Sequence, residues 1–210
     1  MTIASRGKII REATIGGLLA GGSFAAGQIL VAATGSQPPG TPWQHFASVL
    51  MGSHVLQGWI GVGVVFVGAG FNFALATVFG AIFGFVVSTV RPRIRDDMKL
   101  QIAGGALYGL ILWVINYEIL GSLFFPWMVR AINPALQAAV HVLFYGVPLA
   151  TWLSLRIREL EVPGVHELRH RYQTSTGAEQ EFRIERDEEE LGIRMPPPQL
   201  PPPERRPPAR

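Results

Sequence analysis

The sequence predicts an all-α integral membrane protein: a four-helix bundle of spans, an external interfacial or re-entrant helix, and a largely disordered tail. Three observations predict it. The chain has 210 residues, 49% hydrophobic and only 16% charged, whereas a soluble domain carries about a quarter charged residues. From Ala13 to Val90, 78 consecutive residues contain no Asp, Glu, Lys or Arg, and a dispersed soluble surface needs such charges. The charges are gathered elsewhere, with 21 of them in the 55 residues from Arg156 to Arg210. Together these argue against a soluble enzyme, a nucleic-acid-binding domain and a fully disordered chain. The basic pI near 9.7 reflects loops, not a nucleic-acid footprint, which needs a basic face on a water-soluble fold.

Taken in order, residues 1–12 form a basic N-terminus with Arg6, Lys8 and Arg11. A span needs about 20 apolar residues to cross ~30 Å of hydrocarbon, and the segments 13–34, 60–90, 100–125 and 131–155 qualify. The first is longer than the roughly 7–15 residues of a signal-peptide core, so a retained helix is expected. Ser36 to Gly40 reads as a turn. Thr41 then caps a short helix with Pro42 at its first position. The segment Trp43 to Gln57 is too short to span, and its mixed polarity suggests an interfacial or re-entrant helix with Trp43 at headgroup level. Pro148 should kink the fourth span by removing the bond to Phe144. Residues 156–210 form a polar tail that ends in eight prolines over 196–208, a composition that favours polyproline II. A docking arm for a cytoplasmic partner is the sharper expectation for it.

Orientation follows from the basic side chains. With four spans, both termini and the middle loop share one side. That side carries Arg6, Lys8, Arg11, Arg91, Arg93, Arg95, Lys99, Arg156 and Arg158, and the other only Arg130. Both termini are expected in the cytoplasm.

Lipid tails are as apolar as leucine, so spans associate through small residues that let backbones approach. Gly17 and Gly21, Gly80 and Gly84, and Gly105 and Gly109 are the expected packing rows, with Gly70 and Ala74 as a further pair. Polar residues inside spans are functional candidates by default. Glu118 is the one formal charge well inside a span. With Gln28, Asn72, Asn116, His141 and Tyr145 it forms a candidate intramembrane polar cluster. The plain expectation is interhelical hydrogen bonding. The sharper ones are a proton- or substrate-handling site on Glu118 and His141, or a haem or chlorin held by His141. The chain has no cysteine, so thiolate metal sites and disulfides are excluded. No phosphate loop, metalloprotease helix or serine elbow is present. No metal site is expected, and no cofactor is strongly implied.

Several short motifs resemble a bacterial family of four-span inner-membrane proteins with YagU-like relatives. These are the loop from His45 to Gly58, the run Gly104-Gly105-Ala106-Leu107-Tyr108-Gly109, Asn116 followed by Pro126, and His141 through Pro148. The resemblance covers roughly residues 13–155 and implies a multi-pass inner-membrane protein, without implying an activity. The functional expectation is a non-enzymatic structural or accessory protein, a subunit of a larger membrane assembly with other membrane proteins as partners. A small proton-coupled permease and a cofactor-binding subunit are the alternatives.

Overall fold

A computed structural model of the chain describes residues 6–58, 60–91, 95, 97–129 and 133–161, with side chains as far as 158. Contacts divide the chain into one unit of residues 1–162 and a second of 163–210. The expectations for the tail after Glu161, and for Arg130, lie outside the described residues.

The described residues are helical apart from short connections, with no strand among them. Helix α1 is Arg6–Thr34, α2 is Thr41–Met51, and α3 is Val62–Thr89. Helix α4 runs Met98–Phe124, with a π-helical segment at Val114–Gly121. A short α5 covers Pro126–Val129. Helix α6 runs Pro134–Arg158, with a π-helical segment at His141–Gly146. Four of these, α1, α3, α4 and α6, are long and apolar enough to cross a membrane.

Their starts have visible causes. Asp97 caps α4, its carboxylate accepting from the Lys99 N–H at 2.8 Å and the Leu100 N–H at 3.2 Å. Asn133 caps α6 in the same way, through Ala135 and Leu136, with Pro134 just inside the helix. Such caps satisfy N–H groups that a helix start leaves open. At α2 the expectation fails. Gly40, not Thr41, is the capping residue, and no side chain caps that helix. Pro42 stands in the first turn as expected; its ring supplies the helical φ there and removes one open N–H. Pro148 stands two residues after the end of the π segment of α6. Its ring crowds the carbonyl of Phe144 and removes the bond to it, and π turns are one way a helix absorbs such a defect.

The spans pack in the order α3, α1, α6, α4. Neighbours run antiparallel, as the glycine contacts require. A Cβ on Gly17 would lie 2.7 Å from the Gly80 Cα, and one on Gly80 would lie 2.5 Å from the Ala13 carbonyl oxygen. Gly21 meets the side chain of Ala76, Gly84 that of Ala13, and Gly105 the Ala150 methyl and the Gly146 carbonyl. Gly109 meets the His141 carbonyl. The α1–α3 and α4–α6 seams are therefore backbone against backbone, where dispersion contact substitutes for the missing hydrophobic drive. Gly70, by contrast, has open space around it and holds no seam.

The helix seams are lined by small residues, and much of the exterior is large and apolar. Ala13, Ala20, Ala76 and Ala150 are buried, while Leu19, Phe66, Phe85, Leu107 and Leu143 are exposed. Water would penalise that exposure, at about 25 cal/mol per Å² of apolar surface, whereas lipid tails do not. At the end holding the start of α1, Glu12 is buried although it borders the uncharged run. It pairs with Arg11 at 2.8 Å and Arg156 at 3.5 Å, and its carbonyl accepts from Trp152 Nε1 at 3.0 Å. The Arg156 guanidinium lies 4.7 Å from the centre of the Trp152 ring. This cluster ties α1 to α6.

Candidate functional site: a polar-capped cavity

Helices α3 and α4 follow each other in sequence but are not packed together along their lengths. In one half of the bundle Tyr108 fills the gap between them. Its hydroxyl donates to the Phe79 carbonyl at 2.8 Å, and its ring lies 5.0 Å from that of Phe83. In the other half, towards α2, the gap is a cavity of about 420 Å³. All four long helices and α2 contribute to its wall. Among the described residues, no Asp, Glu, Lys or Arg does.

Five of the six residues of the candidate cluster line this cavity: Gln28, Asn72, Asn116, His141 and Tyr145. Glu118 does not. It is exposed, whereas Tyr117 and Gly121 of the same π segment are buried. Glu118 and His141 are thus not brought together. Two π segments, however, both front the cavity, one carrying Asn116 and Tyr117 and the other His141 and Tyr145. Such segments are rare and frequently found at functional sites.

Most of the polar groups are already engaged. Gln28 Nε2 donates to Gln137 Oε1 at 2.7 Å, and Gln137 Nε2 returns a bond to Gln28 Oε1 at 3.0 Å. Asn72 Nδ2 donates to the Gly21 carbonyl at 3.2 Å, and the Tyr145 hydroxyl to the Ala76 carbonyl at 2.6 Å. His141 Nδ1 lies 2.8 Å from the Gln137 carbonyl. A carbonyl only accepts, so Nδ1 carries the proton and Nε2 is left as an acceptor. The same logic fixes the Asn72 amide with its oxygen free. The His141 ring also meets Phe24 edge-on at 4.8 Å.

Helix α2 closes the site. Its polar residues Gln44, His45 and Ser48 are buried and its apolar Leu50 and Met51 exposed. Trp127 Nε1 donates to Ser48 Oγ at 3.1 Å, joining α2 to α5. The carbonyl of Trp43 sits where a Cβ on Gly68 would be. His45 lines the cavity, and burial pushes its imidazole below the ordinary histidine pKa, favouring the neutral ring. A smaller cavity of about 160 Å³ adjoins on the α2 side. Gln28, Pro42, His45 and Gln137 line both, so the paired glutamines stand between the two spaces.

Gln137 and His45 were missed as site residues. Gln137 lies one turn before His141 on the same helix face, which was a usable signal. His45 gave none, because its position depends on how α2 folds back onto the bundle. No group of three potential metal ligands occurs among the described residues. Scans against family models, curated proteins and solved structures found no match to this chain.

Proposed function

We propose that this chain is a non-enzymatic, multi-pass protein of a bacterial inner membrane, acting as a structural or accessory subunit of a larger membrane assembly. The observation that carries the reading is how the intramembrane polar groups are used. Asn72, Tyr145 and the Gln28–Gln137 pair bond helix to helix, and Glu118 stands apart from His141. No acid–base pair of the kind catalysis needs is assembled from them. The excess of Lys and Arg at the termini and middle loop supports cytoplasmic termini. A re-entrant α2 is supported by its inward polar face and its outward Leu50 and Met51, and lipid at the bilayer surface or another subunit would cover the latter.

The test is purification of the full chain in mild detergent, beside a chain lacking residues 163–210. A stoichiometric membrane partner, weakened by loss of the tail, is the expected result. A monomer without partners in both samples contradicts it. A second reading, a small permease, is favoured by the cavity itself, with Asn72, Asn116 and His141 as its polar lining and without Glu118. Uptake of solutes into vesicles bearing the purified chain alone would support that reading over the first.

A further inference from the structure

We propose that the cavity between α3 and α4 binds an uncharged, ring-bearing alcohol or phenol, whose hydroxyl donates its one hydrogen to His141 Nε2 or to Asn72 Oδ1. Three features of the wall select this class. The first is charge: with no Asp, Glu, Lys or Arg among the described residues that line it, the wall offers no counter-ion, and an ionic ligand would lose its hydration without compensation. The second is the sense of the open hydrogen-bonding groups. His141 has Nδ1–H committed to the Gln137 carbonyl, and Asn72 has its amide hydrogen committed to the Gly21 carbonyl. His141 Nε2 and Asn72 Oδ1 have no bond among the described residues. Both residues line the cavity, and a ligand that brings no donor would cover such an acceptor without replacing its bond.

The third is shape and surface. Phe24, Phe46, Phe71 and Phe79 supply ring faces and edges, which suit the flat body of an aromatic ligand. The volume of about 420 Å³ falls within the roughly 300–1,000 Å³ typical of small-molecule sites. The Asn116 side chain bonds nothing among the described residues and is half-buried, leaving it free to meet a second polar atom. The cavity would bind such a molecule whether or not the chain has protein partners.

The experiment uses the full chain in lipid nanodiscs, with empty nanodiscs subtracted to remove partition into lipid. Equilibrium dialysis compares 1-naphthol, 1-methoxynaphthalene and 1-naphthoate. The three share a ring system and differ as donor, capped donor and anion. The proposal expects 1-naphthol to bind roughly tenfold more tightly than its methyl ether, as loss of one buried hydrogen bond dictates, and 1-naphthoate to bind weakest. His141→Phe or Asn72→Leu, whichever removes the acceptor in use, should narrow the naphthol-to-ether ratio. Should either variant fail to fold, the wild-type comparison decides alone. Equal binding of naphthol and ether overturns the proposal, and is what a cavity filled by a lipid acyl chain would give. Preferred binding of naphthoate, or an unchanged ratio in both folded variants, also overturns it.

Discussion

At Gly104 and Gly105, two adjacent residues have opposite surroundings. A Cβ on Gly105 would press on Ala150 and on the Gly146 carbonyl, whereas one on Gly104 would meet nothing within 4 Å. Gly105→Ala should therefore lower the thermal stability of the detergent-solubilised protein, by about 1–3 kcal/mol for overpacking against backbone. Gly104→Ala should be neutral or stabilising, since alanine is the better helix former. Equal effects would contradict the seam. His45 gives a pH prediction. Burial lowers its folded-state pKa, so the unfolded chain binds a proton more readily than the folded one. Stability is then fully present above about pH 6.5 and falls as pH drops below it, by at most about 1.4 kcal/mol per unit. His45→Gln should flatten that fall in melting temperature between pH 7.5 and 5.5. Among single residues, the glycine rows at Gly17, Gly80, Gly105 and Gly109 were legible because spacing alone places them on one face. Glu118 was misleading. Its depth in a span marks it as unusual, but the π segment of α4, which no proline announces, decides which way it points.

Elements were easier to read than their relations. Each of the four long helices declares itself through length and apolarity, and Pro148 declares a defect in α6. What a single chain does not declare is that α3 and α4 stay apart, since loop length says nothing of which antiparallel neighbours touch. The cavity is a consequence of that separation. Helix α2 is the other case. Its mixed composition fits either face inward, and contact with α3 and α5 selects the polar one. The Gln28–Gln137 pair ties α1 to α6 at this level. Gln28→Leu alone leaves Gln137 buried without its partner and should cost about 1–3 kcal/mol. The double variant Gln28→Leu/Gln137→Leu should recover much of that loss, because both polar groups are then gone. A thermal-shift cycle over the four proteins measures the coupling, and simple additivity would count against the pair. Pro148→Ala should restore the backbone bond to Phe144 and favour α-helical turns over 141–146. Because His141 and Tyr145 sit in that segment, the naphthol-to-ether binding ratio should fall in this variant while the fold is retained.

For the whole molecule, the uncharged run from Ala13 to Val90 has a structural meaning beyond apolarity. It holds α1 from Ala13 onward, all of α2 and all of α3, so the wall they give the cavity carries no formal charge. Buried Glu12 lies just outside it, at the other end of the bundle, where Arg156 meets it. Small residues at the seams and large apolar residues outside fit a bundle surrounded by lipid. The central claim is a four-span bundle, for which we propose, from the placement of Lys and Arg, that the termini and middle loop lie on the inner side of the membrane. The natural chain has no cysteine, which permits a direct measurement with single-cysteine variants and a membrane-impermeant thiol reagent. Lys8→Cys and Lys99→Cys should be labelled only after the cells are opened, and Ser36→Cys and Met128→Cys in intact cells. Labelling of the Lys8→Cys or Lys99→Cys variant in intact cells, or protection of the Ser36→Cys variant there with exposure after lysis, would contradict the account.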